Sequence, residues 1–329
     1  MKKLINAADL VLTESLAGFA TAHADIVSLG AEEKFVRRRE LRRGKVALIS
    51  GGGSGHEPLH AGFVGRGMLD AACPGQVFTS PTPDQMVAAV EAVDTGGGCL
   101  FIVKNYEGDV MNVQMAADLA GKDVATVVTN DDVAVETSTW STGRRGVAGT
   151  LIVEKLVGAA AEQGVSLLQL KTLGEQANRQ TRCMGVALSS CTVPAAGKPT
   201  FALGEDEMEL GVGIHGEPGR RRVKFASADT IADEMVGAMV KDLGPRPGAE
   251  ALLFVNGFGG TPTMELYLMV NSAVRVLQGK GVRVSRFLTG SYVTSLEMAG
   301  CSITVSLLDD ALRNLWDAPV HTAALRWGI

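Results

Sequence analysis

The chain has 329 residues, of which 46% are hydrophobic and 20% charged, with a formal net charge of −5. That length suits two domains of roughly 100–200 residues each. The apolar fraction excludes a disordered chain, and the acidic balance argues against general nucleic-acid binding. Glycine is in excess, 40 of 329, against a usual share of about 7%. The excess gathers at 51–55, 62–67, 96–98, 211–219 and 257–260, as ligand loops do and linkers do not.

Met1-Lys2-Lys3 looks like the start of a signal segment, but Asp9, Glu14 and His23 interrupt the stretch that would have to be apolar. No run of about 18 apolar residues occurs, so no membrane span is expected. Leu10, Leu12, Leu16 and Phe19 predict a helix over 7–22 with Asn6 as its N-cap. Lys45–Ile49 reads as a strand ending at Ser50-Gly51, and Cys99–Val103 and Val124–Thr129 read as two more. A helix follows Asp109 through Met111, Met115 and Leu119 to Gly121, and another spans about 146–164, with helical sequence continuing to 179. In the second half Met184–Leu188, Ala251–Val255, Val282–Leu288 and Ile303–Leu308 read as strands, and Pro262–Leu277 as a helix with proline in its first turn. Segments 45–59 and 251–265 share a layout of strand, glycine loop and helix.

Strands alternating with helices imply an α/β architecture. The expected fold is two α/β domains, 1–185 and 186–329, each with a mixed or mostly parallel sheet flanked by helices. The stretch 192–219 reads as an unusually long loop, and such loops inside compact domains are usually functional. Arg37-Arg38-Arg39 and Arg220-Arg221-Arg222 read as solvated faces, or as docking patches for an acidic partner. Cys73, Cys99, Cys183, Cys191 and Cys301 form no C-x-x-C pair, which points to reduced thiols and a cytoplasmic location.

Two histidines stand in glycine-rich loops, His56 in Gly51–Pro58 and His215 in Gly211–Gly219. Glycines let the backbone approach a ligand closely, and imidazole supplies a titratable nucleophile near neutral pH. The pair suggests one small-molecule site built from two distant segments. Two alternatives stay open: structural turn histidines, or a metal site with Glu57, Asp109 or Glu217 as further ligands. His23, His60 and His321 read as ordinary. The Gly51–Gly55 loop fails the G-x-G-x-x-G pattern, because His56 and Pro58 stand where it needs glycine, and no G-x-x-x-x-G-K-[ST] occurs. A glycine loop after a parallel strand is nonetheless where open α/β sheets bind ligands. Asp109 follows a buried strand at a helix start. It reads as an N-terminal helix carboxylate or, with Lys104 close by, as a catalytic group.

The motifs Ser50–Pro58, Lys104-Asn105-Tyr106 through Asp109, Asp131–Val135, Gly143–Gly146, Cys191–Pro194, Gly213–Gly219 and Trp316–Thr322 closely resemble those of the dihydroxyacetone kinase K subunit family, and the likeness runs from Met1 to Ile329. The resemblance implies a homodimer with two α/β domains and a covalently held substrate. It implies that His215 adds through its distal ring nitrogen to C2 of dihydroxyacetone, giving a hemiaminal. It further implies that Gly53, Ser54, Gly55, His56, Lys104 and Asp109 bind the substrate, with His56 and Asp109 assisting phosphoryl transfer. No cofactor or metal is then expected on this chain. ADP and Mg²⁺ are expected on a separate L subunit, rephosphorylated by an M subunit of the phosphotransferase system with phosphoenolpyruvate. The end at Ile329, right after the K-like region, is the reason for expecting L as a separate chain. Lys241–Glu250 looks shorter than in other members. Relatives that act as ketose-binding transcriptional co-activators, or that phosphorylate a four-carbon ketose such as erythrulose, supply the alternative expectations.

Overall fold

The computed structural model describes residues 2–135, 141–217 and 219–329. Met1 and Pro218, which the motifs above include, lie outside the described residues. Helix α1 (Val11–Ala22) leads into a ribbon of β1 (Val27–Leu29) and β2 (Val36–Arg38). There follow β3 (Ala47–Ser54), β4 (Gly65–Arg66), β5 (Ala71–Val77), α2 (Pro83–Val93), β6 (Cys99–Lys104), α3 (Glu107–Leu119), β7 (Val124–Thr129), α4 (Gly149–Glu162) and α5 (Leu167–Arg179). The rest of the chain gives β8 (Thr181–Ala187), β9 (Glu207–Leu210), β10 (Arg221–Lys224), α6 (Ala228–Leu243), β11 (Glu250–Gly257), α7 (Thr263–Gly279), β12 (Arg283–Gly290), β13 (Gly300–Leu308), α8 (Asp310–Asp317), β14 (Val320–Thr322) and β15 (Arg326–Trp327).

The first sheet has the order β1-β2-β5-β3-β6-β7, and β5, β3, β6 and β7 run parallel. β6 is buried along its whole length, as expected of a continuous apolar run inside a parallel sheet. From β3 the chain moves to one side, to β5, and then crosses to β6 on the other. The crevice at the carboxyl ends of β3 and β6 is therefore a topological switch point, where open α/β sheets place ligands. The second sheet, β10-β9-β8-β13-β11-β12, is mixed; only β11 and β12 pair in parallel. Helix α4 lies between the two sheets with residues 149–161 all buried, which is why apolar residues surround it on most sides, Glu154 and Lys155 apart. One apolar core, including Leu48, Ile102, Leu151, Leu156 and Phe254, runs through this layer.

The two halves interlock. β14 pairs with both β15 and β4, so the end of the chain adds a strand pair to the first half. The strand Thr181–Ala187 is continuous, and a division at 185/186 cuts it; the change from first to second sheet falls at the α5–β8 join. The stretch 192–219 is not structureless, because β9 within it pairs with β8 and β10. Asn6 does not cap α1: the helix begins at Val11, and the Asn6 amide donates to the Glu14 carboxylate at 3.0 and 3.1 Å. In α3, Met111, Met115 and Leu119 are exposed, while Asp109, Val113 and Ala116 face inward. The small Ala116 fits against the sheet, and Asp109, in the first turn, points to the crevice. The connection after α6 turns on left-handed Gly244 (φ 56°).

Candidate functional site

A cavity of about 420 Å³ opens at the switch point, lined by Gly53, Phe78, Ser80, Tyr106, Asp109 and His215, among others. β3 delivers the glycine loop, β6 and the first turn of α3 deliver Tyr106 and Asp109, and the loop after β9 delivers His215. Gly53 has no room for a side chain, since a Cβ would lie 2.6 Å from the Thr79 nitrogen and 2.8 Å from the Phe78 backbone. That close approach is what the glycine run in β3 permits.

The structure brings His56 and His215 together, with ring centroids 4.7 Å apart at 75°. Tyr106 and Phe78 pack edge-on to His215 at 4.6 and 5.3 Å. His56 Nδ1–H donates to the Thr294 carbonyl at 2.8 Å, and its buried Nε2 has no partner. Burial, with His215 and Lys104 nearby, holds the His56 pKa well below its ordinary value. His56 is thus a neutral base at pH 7, its lone pair fixed on Nε2. The loop keeps this pose because the Leu296 N–H donates to the Gly55 carbonyl at 2.8 Å and the Thr294 N–H to the His56 carbonyl at 3.2 Å.

His215 is oriented by Glu217. The carboxylate accepts the ring Nδ1–H at 3.0 Å and the His215 backbone N–H at 3.0 Å. Burial would raise the Glu217 pKa, but His215 and Arg145 outweigh it and bring it down to about 2. Arg145 is wholly buried; it donates to Asp132 at 2.7 Å and to the Gly211 carbonyl at 2.6 Å, and its Nη1 has no partner. With Nδ1 engaged, Nε2 is the free nucleophilic nitrogen of His215. Asp109 is 4% exposed and its buried Oδ1 has no partner, nor has the Tyr106 hydroxyl. Unpartnered buried polar atoms call for an explanation, and Asp109 and Tyr106 both stand on the wall of this cavity.

The other expected residues sit differently. The Ser54 hydroxyl donates to the Gly75 carbonyl at 2.7 Å, so it is engaged in the fold. The Gly55 N–H is taken by Glu57 at 2.9 Å, and Gly55 stands at φ 102°. Lys104 is wholly buried one layer behind Gly52, with Nζ 2.8 Å from His60 Nε2. His60, read as ordinary, therefore belongs to the site's floor. Glu217 and Arg145 stand in motifs singled out from the sequence, but without the orienting role; Phe78 and Ser80 carry no sequence signal at all. Among the described residues no three His, Cys, Asp or Glu side chains converge as a metal site, and no helix is long and apolar enough to cross a membrane.

A family model described as the Dak1 domain matches residues 17–324. The chain is 51% identical over 328 residues to the dihydroxyacetone-binding subunit DhaK of PTS-dependent dihydroxyacetone kinase 1 from Listeria innocua serovar 6a, across 98% of this chain and 100% of that relative. It is 48% identical over 356 residues to the dihydroxyacetone-binding subunit DhaK of the PEP-dependent dihydroxyacetone kinase from Escherichia coli (strain K12), across 100% of both. Among solved structures, the dihydroxyacetone kinase of C. freundii superposes with a TM-score of 0.91 at 33% identity, over 99% of this chain and 60% of that longer one. The dihydroxyacetone kinase operon co-activator DhaQ superposes with a TM-score of 0.89 at 34% identity, over 94% of this chain and 97% of that one.

Proposed function

The chain belongs to the Dak1 domain family, and on that premise we propose that it is the dihydroxyacetone-binding subunit of a phosphoenolpyruvate-dependent dihydroxyacetone kinase. The observation that carries this reading is His215 on the cavity wall, its Nδ1 bound to Glu217, with Asp109 on the same wall and the His56 ring packed against His215. The lone pair of His215 Nε2 adds to C2 of the ketose. The N–C bond forms as the carbonyl π bond breaks, the oxygen takes a proton from water, and the ring's Nδ1 proton passes back to solvent, leaving a neutral hemiaminal. An alcohol has no such electrophilic carbon, so glycerol is rejected by its chemistry rather than its size. Capture fixes the terminal hydroxyl for attack. His56 Nε2 or the Asp109 carboxylate then takes the hydroxyl proton as its oxygen attacks the terminal phosphorus of the nucleotide on the L subunit, whose P–O bond breaks to leave ADP there, help worth about 10²–10⁴ in rate. Gly53 lets the ligand approach the backbone, and Lys104 supplies charge from beneath.

The phosphoryl donor is assigned to a separate L subunit carrying ADP and Mg²⁺, rephosphorylated by an M subunit. This chain is assigned the role of a cytoplasmic homodimer without cofactor. A second reading, a non-catalytic ketose sensor acting on a transcription regulator, is favoured by the likeness to the DhaQ co-activator. Both readings need ketose capture, and the kinase also needs phosphoryl transfer. The deciding assay incubates the chain with dihydroxyacetone or erythrulose and cognate L and M subunits, and measures ketose phosphate formation. One ketose adduct per chain, mapped to His215 by mass spectrometry and lost in His215→Ala, is the expected first step. An adduct that survives that substitution removes the assignment, and capture without turnover moves the chain to the sensor reading.

A further inference from the structure

Behind Gly52 lies a buried chain of ionisable groups of which the chemistry above uses only the Lys104 charge. Lys104 Nζ is 2.8 Å from His60 Nε2, and His60 Nδ1 is 2.6 Å from Glu154 Oε1 and 2.9 Å from Ser50 Oγ. Lys104 and Glu154 are wholly buried, and Glu154 Oε2 has no partner. The Ser50 hydroxyl donates to the Ile102 carbonyl at 2.7 Å, so toward His60 it is an acceptor. An ammonium has only donors. While Lys104 is charged, His60 Nε2 must therefore accept, and its proton sits on Nδ1, donating toward Glu154.

The imidazole itself stays neutral, because burial, with Lys104 and His56 close by, holds its pKa well below the ordinary value. The short contact with Glu154 is thus a hydrogen bond rather than an ion pair. Burial pushes the Glu154 carboxyl up to about 8. Burial lowers the Lys104 ammonium, while Asp109 and Glu154 pull it back up. The groups facing Lys104 are Asp109 from α3, Glu154 from α4, and His60 and His56 from the loop after β3. Only the missing side chain of Gly52 separates Lys104 from Asp109. A Cβ there would overlap Lys104 Nζ and lie 3.6 Å from Asp109 Oδ2.

We propose that His60 and Glu154 are positioning residues for Lys104, forming a closed proton relay that sets whether Lys104 offers the ketose site an ammonium or an amine. This rests on the ketose reading of the cavity. In one arrangement Lys104 is positive and Glu154 negative. In the other, a Lys104 Nζ–H bond has broken as His60 Nε2–H formed, and Nδ1–H has broken as Glu154 Oε1–H formed. No proton enters or leaves, and the set is neutral in both. The unpartnered Oε2 disfavours a permanently ionised Glu154, because an unsatisfied buried acceptor is costly, most of all on a charged group. The attraction between opposite charges disfavours a permanently neutral Lys104.

Glu154→Gln keeps the shape and an acceptor for His60 Nδ1–H but can neither hold the charge nor take the proton. Two measurements are made on the full chain between pH 6 and 9. The first is the Lys104 ¹³Cε/¹⁵Nζ resonance without ligand, and the second is calorimetric affinity for dihydroxyacetone. In the variant, Lys104 loses a carboxylate that raised its pKa, so it deprotonates at lower pH than in the parent. Affinity matches the parent at pH 6 and is weaker by about tenfold at pH 9, the value of one charge-assisted hydrogen bond. A purely structural role would shift affinity equally at both pH values. An unmoved Lys104 titration together with a pH-independent affinity ratio overturns the relay. Should this variant not fold, Glu154→Leu removes the carboxylate while Ser50 Oγ still accepts from His60 Nδ1–H, and is read the same way. If the parent binds no dihydroxyacetone, the ketose reading fails, while the Lys104 titration still decides the relay.

Discussion

Replacing Glu217 by glutamine separates charge from shape at the group that orients His215. In the parent, the carboxylate accepts from both the ring Nδ1 and the backbone nitrogen of His215, each at 3.0 Å. A hydrogen bond to a charged group contributes about 1.5–3 kcal/mol and a neutral one about 0.5–1.5. Loss of charge alone therefore costs about 1–1.5 kcal/mol, or roughly tenfold in capture. Glutamine can also turn its amide NH₂ toward Nδ1, which moves the ring proton to Nε2 and removes the lone pair that attacks the ketone. Reversing a tautomer in this way costs about 10⁴ in the serine-protease triad. The expected result is adduct formation weakened at least about tenfold, read by intact mass against dihydroxyacetone concentration. The acid behaviour gives a second readout. A carboxyl held at about 2 in the fold and near its ordinary value when unfolded contributes stability that is complete above about pH 4.5 and lost as pH falls toward 2. At 1.36 kcal/mol per pKa unit this is worth about 3 kcal/mol. Urea unfolding at pH 5 and pH 3 should show the parent losing its advantage over Glu217→Gln as the solution becomes more acid. Capture within twofold of the parent, or a stability gap that widens in acid, would refute the role given to Glu217.

Asp109→Asn should abolish phosphoryl transfer while leaving ketose affinity largely intact, because Asp109 lines the cavity and capture rests on His215; turnover equal to the parent removes Asp109 as base. Gly213→Ala should weaken capture by about tenfold or more, since its Cβ would overlap Glu217 Oε2 and lie 2.7 Å from Arg145 Nη1; calorimetry against dihydroxyacetone checks this, and unchanged affinity counts against the Glu217–Arg145 arrangement. The isolated chain should bind neither ATP nor ADP tightly, and ATP alone should give no dihydroxyacetone phosphate, because no phosphate-cradling motif stands in the sequence; calorimetry and a coupled assay test both halves, and ATP-driven turnover by this chain alone would overturn the subunit reading.

The parallel strands were legible because their apolar runs are continuous: β6, at Cys99–Lys104, is buried on both faces and reads as a strand from composition alone. β5 was not legible, because Pro74 and Gly75 within Ala71–Val77 read as breakers. The proline is tolerated because β2 pairs only as far as Ala72, which leaves that side of the strand open and no ladder donor missing. Helix α3 was legible from Met111, Met115 and Leu119, although these residues do not mark its inward face. Its large side chains Met111, Met115 and Leu119 form a stripe at helical spacing and are exposed, while the inward face carries Asp109, Val113 and Ala116. Hydrophobic spacing reports a core face only where no functional carboxylate competes for it.

The site divides along the same line. His56 and His215 stood out because each stands in a glycine-rich loop with a glycine beside it, Gly55 and Gly216, and such a loop is written locally in the sequence. What holds those residues is not local. His56 is fixed by the Thr294 carbonyl, Lys104 by His60 and Glu154, and Glu217 by Arg145. Each of these links joins residues from different elements, and nothing in the spacing of one partner announces the other. Glu154 is the clearest case. In sequence it stands beside Lys155 in the otherwise apolar stretch 151–161, and nothing there names its partner. Only the packing of α4 between two sheets removes its solvent and turns it toward His60. A buried carboxylate on such a helix is costly, and the fold holds it against His60, itself 2.8 Å from Lys104 Nζ.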